Sequence, residues 1–81
     1  MKIAGYIPHP KMTITVFVMN DKYIIKFEAG PMEQVYKLSQ EKAKGFEHVK
    51  KMIDADFQSA VLKKFSEMFE EMRGALERAN S

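Results

Sequence analysis

The apolar residues of this chain change their spacing once, near residue 40, and that switch limits what it can fold into. Before it they recur at every second position, the period of a pleated strand. After it they recur every three or four positions, the period of one helix face. Strands first and helices second predict an α+β domain. With 81 residues there is room for one domain, so the expected unit is 1–81, without repeats, linkers or low-complexity segments.

The strand half reads as a three-stranded antiparallel β-meander over residues 12–38. Met12 to Met19 is rich in Thr, Val, Ile and Phe, which suit a pleated surface. Asn20-Asp21 follows, and both residue types tolerate the positive φ of a tight turn. A two-residue loop there sets Met19 opposite Lys22, Val18 opposite Tyr23, Val16 opposite Ile25 and Ile14 opposite Phe27. The apolar pairs then share one face, and a slip of one residue would scatter them. The next break is Ala29-Gly30-Pro31-Met32, where an even-numbered loop brings Tyr36 to Ile25 and Leu38 to Tyr23. The predicted core face is Ile14, Val16, Val18, Tyr23, Ile25, Phe27, Tyr36 and Leu38. Lys2 to Ile7 is a candidate for a fourth, short N-terminal strand, ended by Pro8 and Pro10, which lack a backbone donor.

In the second half, Phe46, Val49 and Ile53 lie at helical spacing and predict a short helix over 45–53. Phe57, Val61, Leu62, Phe65, Met68, Phe69, Met72 and Leu76 form a stripe about 140° wide on a long amphipathic helix over 55–78. In one unbroken helix these two stripes would be rotated by about 120°, and no single core could receive both. A break is therefore expected at Asp54 to Asp56, with Asp54 capping the second helix. The meander face and the long stripe each need a cover, and each suits the other, so the long helix is expected to pack on one sheet face.

Cysteine is absent, which excludes disulfides, thiolate zinc sites and thiol catalysis. A core of this size rarely supplies more than about 3–5 kcal/mol, so the usual staple that remains is a partner subunit. The net charge of +2 sits in residues 1–40, where Lys2, Lys11, Lys22, Lys26 and Lys37 meet Asp21, Glu28 and Glu33. That excess is far weaker than an ordinary nucleic-acid footprint. No apolar run approaches the roughly 20 residues that cross a bilayer. The first ten residues lack the apolar centre of a signal peptide. A cytoplasmic protein without a membrane partner is expected.

No constellation of catalytic residues stands out, and neither a metal nor a cofactor is expected. Asp54-Ala-Asp56 fails as a calcium loop, since Ser59 and Phe65 stand where Gly and Glu are needed; helix capping explains it. Nothing brings His9 and His48 together with a carboxylate. No Gly-x-Ser-x-Gly elbow exists, and the four glycines are isolated rather than gathered in a phosphate loop. Tyr6-Ile7-Pro8-His9-Pro10 reads as a stiff connector before the meander. Of the seven methionines, Met68 and Met72 fall inside the long stripe, whereas Met52 lies outside its neighbours' stripe.

The outer face of the meander is the unusual feature. It is predicted to carry Thr13, Thr15, Phe17, Met19, Lys22, Ile24, Lys26, Val35 and Lys37. A solvated sheet face should be polar, yet Phe17, Ile24 and Val35 gather there. The N-terminal segment, the short helix, a second subunit or a ligand could each cover them. The leading expectation is a small non-enzymatic protein-interaction module (adaptor, chaperone-like or regulatory), working as a homodimer. Its anchors are Phe17, Ile24 and Val35, with Met52 secondary. The alternative is a weak nucleic-acid-binding module, with Lys22, Lys26 and Lys37 on phosphates and Phe17 stacked on a base. The third is a small enzyme or ligand carrier with a sheet–helix pocket lined by Tyr23, Tyr36 and His48.

Overall fold

In a computed structural model describing residues 1–80, the strands of the meander form where β-branched and aromatic residues alternate, and the N-terminal segment adds one more. They are β1 (Lys2–Ile7), β2 (Thr13–Met19), β3 (Lys22–Ala29) and β4 (Met32–Ser39), followed by helices α1 (Phe46–Met52) and α2 (Ala55–Ala79). The sheet is antiparallel in the order β1-β2-β3-β4. The meander is therefore extended by the N-terminal segment into a four-stranded sheet, and the fold is α+β.

Two tight turns set the register. Asn20-Asp21 leaves Met19 opposite Lys22, and Val18, Val16 and Ile14 opposite Tyr23, Ile25 and Phe27. Gly30-Pro31 leaves Ala29 opposite Met32, with Tyr36 opposite Ile25 and Leu38 opposite Tyr23. In each turn the first position is left-handed, at φ 58 for Asn20 and φ 60 for Gly30. That sign at the first loop position matches the right-handed twist of the flanking strands. Asp21 does not share it, and Pro31 holds its fixed negative φ.

β1 departs from plain alternation. Ile3 pairs with Phe17, but Gly5 pairs with Val16, so Ala4 is an extra residue in the ladder. This bulge exchanges the faces of everything after it. Ile7 turns into the core, and Tyr6 turns out. Gly5 then lies under α1. A β-carbon at Gly5 would come within 2.5 Å of Cζ of Phe46. The ring of Phe46 thus sits directly on the β1 backbone, which fixes α1 on the core side of the sheet.

The two helices break where the stripe conflict demands it. α1 ends at Met52, and Asp54 caps α2 by accepting a hydrogen bond from the N–H of Phe57 at 2.9 Å. The N–H of Ile53 still donates to the carbonyl of Val49, so α1 stays closed through its last turn. Both helices cover the same face. Ile14, Val16, Phe27, Val49 and Val61 are fully buried between sheet and helices. The rings of Phe27, Tyr36 and Phe57 meet with centroids 5.4–5.8 Å apart, joining β3, β4 and α2. Gln34 adds a polar lock, donating from Nε2 to the carbonyl of Val61 at 3.1 Å.

The long stripe is not wholly absorbed. α2 has 25 residues, about 37 Å at 1.5 Å each. β4 has eight, about 27 Å. Phe57 meets Tyr36 in the middle of β4, and Phe69 has already reached Gly30 at the sheet's end. The rest of α2 runs past the sheet. Val61 and Phe65 are buried and Leu62 and Met68 half-buried, whereas Phe69, Met72 and Leu76 are exposed. The overhang explains extents of 50 × 25 × 19 Å and a radius of gyration of 14.8 Å, against about 12 Å for a compact chain of this length.

Gly5→Ala should destabilise the chain by about 1–3 kcal/mol, because the methyl group meets the Phe46 ring. Combined with Phe46→Ala it should cost less than the two changes summed. Urea denaturation of the four chains measures both, and simple additivity would contradict the close contact. Asp54→Ala should cost about 1 kcal/mol by the same measurement.

Candidate functional site

Because both helices lie on the core face, no element of the described residues crosses the other face. The register lays out that face in rows. One row is Ile3, Phe17, Ile24 and Lys37; the next is Tyr6, Thr15, Lys26 and Val35. Phe17 and Ile24 are half-buried, held by their neighbours within the sheet. Ile3, Tyr6 and Val35 are 53%, 59% and 46% exposed, and Met19 also stands out toward solvent. Ile3, Phe17 and Ile24 thus form an apolar row across β1, β2 and β3, with Val35 of β4 diagonal to Ile24 and Tyr6 in the neighbouring row. Thr15, although on this side, is buried by the side chains around it.

Phe17, Ile24 and Val35 are therefore brought together as the alternation predicts. Neither internal cover considered for them is used: the N-terminal segment extends the sheet as β1, and α1 packs on the opposite face. Ile3 and Tyr6 were not foreseen as members. Ile3 joins by pairing with Phe17, and Tyr6 joins because the bulge at Ala4 turns it outward. A bulge has little local signature, although Gly5 inside a short strand is one hint.

Met52 lies on the other side of the sheet. It lines a cavity of about 200 Å³ with Ile25, Tyr36, Lys37, Leu38, Ile53 and Phe57, where β4 meets the α1–α2 junction. Of the three residues expected around a sheet–helix pocket, only Tyr36 takes part. Tyr23 is buried elsewhere in the core, and His48 is exposed. Nδ1 of His48 accepts the N–H of Lys44 at 3.0 Å, and Nδ1 of His9 accepts the N–H of Lys11 at 3.0 Å. Each histidine thus ties down its own loop. Among the described residues, no group of three or more His, Asp or Glu gathers in a metal-binding arrangement.

The lysines frame the apolar strip without forming a continuous basic track. Lys37 ends the row of Phe17 and Ile24, and Lys22 pairs with Met19. Lys26 reaches Glu33 at 3.4 Å, an exposed pair worth at most about 1 kcal/mol. Glu28 and Glu33 close the far end of the face. No helix of the described residues is long and apolar enough to cross a membrane. The chain matches no family model, no curated protein and no solved structure.

The neighbours Ile24 and Ile25 separate the two faces cleanly. In dilute solution Ile25→Ala should cost about 2–5 kcal/mol, and Ile24→Ala less than about 1 kcal/mol. Chemical denaturation reads both, and equal losses would mean that something within the chain covers Ile24.

Proposed function

We propose that this chain is a non-enzymatic protein-interaction module that works as a homodimer, with the outer sheet face as its contact surface. The observation that carries the reading is the apolar row of Ile3, Phe17 and Ile24, with Val35 diagonal to it, on a face that both helices leave bare. A second copy stacked face to face buries Phe17 and Ile24 at the centre of the contact, where hot-spot residues sit. Lys22 and Lys37 stay on the rim, where charge remains hydrated. Sheets packed this way lie about 10 Å apart with interleaved side chains. A small core without disulfides gains from such a partner.

A second reading has one observation in its favour. Tyr6 joins Phe17 on a face that also carries Lys22, Lys26 and Lys37, so two aromatic rings and three cations are available to a single-stranded nucleic acid. Glu28, Glu33 and the Lys26–Glu33 pair weaken the field that a phosphate backbone would meet.

Phe17→Asp places a charge in the middle of the stacked faces. It should halve the mass of the assembly at micromolar concentration, measured by light scattering on a size-exclusion column. The change should leave the far-ultraviolet circular dichroism intact, since Phe17 is outside the core. An unchanged mass would contradict the face-to-face contact. For the second reading, fluorescence anisotropy with labelled single-stranded oligonucleotides should show binding at low salt that falls steeply as salt rises; no binding at low salt would end it.

A further inference from the structure

Among the surfaces left open, the free edge of β4 alone carries a pattern that specifies its occupant. A two-residue loop is closed by the N–H of the residue just after it, which donates to the carbonyl of the residue just before it. Met32, Gln34, Tyr36 and Leu38 therefore direct their backbone groups to β3. The N–H of Gln40, which donates to the carbonyl of Asp21 at 2.9 Å, keeps the same parity. The N–H and C=O groups of Glu33, Val35 and Lys37 consequently point away from β3, where no strand of the described residues lies beside them. All three residues are exposed.

The other edge is interrupted and this one is regular. β1 is bulged at Ala4, an ordinary way of blunting an edge. β4 runs eight residues with neither a bulge nor a proline.

We infer that β4 pairs antiparallel with β4 of a second copy, about a two-fold axis through Val35, to make one continuous eight-stranded sheet. The charges select this register. With Val35 opposite Val35, Glu33 of each copy stands opposite Lys37 of the other, so the favourable pair occurs twice. A shift of two residues either way loses both pairs, and a parallel arrangement sets Glu33 beside Glu33. About six backbone hydrogen bonds join the two copies, two for each facing pair. On the core side, Met32 of the second copy lies beside Leu38, at the rim of the apolar cavity near Met52.

The need for a second contact follows from the size of the first. Four strands about 4.8 Å apart and seven residues long make a face of about 19 by 24 Å. Two such faces bury on the order of 1,000 Å², below the standard range for stable complexes. Edge pairing goes beyond the stacked-face reading. It uses backbone that stacking leaves free, and both contacts together build a particle of four copies.

Two charge reversals test it. Glu33→Lys sets Lys against Lys37 of the second copy, and Lys37→Glu sets Glu against Glu33. Each variant alone should self-associate roughly tenfold more weakly than the unchanged chain. Mixed in equal amounts, with one isotope-labelled, they should regain the original affinity as pairs holding one copy of each, read by native mass spectrometry and sedimentation. The chain carrying both reversals restores the match between copies, although it loses the Lys26–Glu33 pair within each, and should associate more tightly than either single variant, which controls for folding. Two results would overturn the inference: single variants that associate as well as the unchanged chain, or a mixture as weak as its components. Phe17→Asp reads the stacked faces instead, so a failure of one contact is distinguished from a failure of the other.

Discussion

Both turns inside the meander hold two residues, and in each the first residue takes a positive φ. From that pair of constraints the rest of the molecule follows. A two-residue turn fixes which residues face each other across the hairpin, and strand pleating then assigns every side chain to one face. Ile14, Val16, Tyr23, Ile25 and Phe27 fall on the face that the helices cover. Phe17, Ile24 and Val35 fall on the face that they do not. Moving either turn by one residue would invert the two sets. The same parity decides which backbone groups of β4 bond to β3 and which face open space. The core, the apolar outer strip and the free edge therefore share one geometric origin.

The helices are fitted to that sheet by two local devices. Gly5 lets the ring of Phe46 rest against the backbone of β1, which holds α1 over the β1–β2 side. Asp54 ends one helix phase and starts the next, so that Val49 and Ile53 in the first part, and Val61 and Phe65 in the second, all enter one core. Phe57 completes the joint through its contacts with Phe27 and Tyr36. Gln34 then ties the middle of β4 to the backbone of α2. The apolar cavity beside Met52 is what remains where the α1–α2 junction passes the edge of the sheet.

Much of this was legible in the residues because it depends on short-range rules. The pairing of β2, β3 and β4 followed from turn length and alternation, and the break at Asp54 followed from two stripes that one rod could not reconcile. What escaped depends on contacts between distant segments. The bulge at Ala4 is set by the fit of Gly5 under Phe46, 41 residues away. It alone explains why Ile3 and Ile7, two positions of equal parity, face opposite sides. The stripe from Phe57 to Leu76 looked like a complete core face, yet its last turns outrun the sheet. Comparing helix length with strand length carries that signal, because about 37 Å of helix overhangs about 27 Å of strand. The outer strip was visible as Phe17, Ile24 and Val35 and incomplete without Ile3 and Tyr6.

A small domain without cysteine has few ways to reinforce itself, and this one spends its helices on a single sheet face. The face left bare carries an apolar row over β1, β2 and β3, and the edge beside it is open and self-complementary in charge. A second copy of the chain would cover both, as proposed. The most direct measurement is sedimentation equilibrium of the unchanged chain from nanomolar to high micromolar concentration. Self-association predicts a mass that rises above that of one chain within this range, at moderate salt and neutral pH. A mass equal to one chain at every concentration would contradict the account.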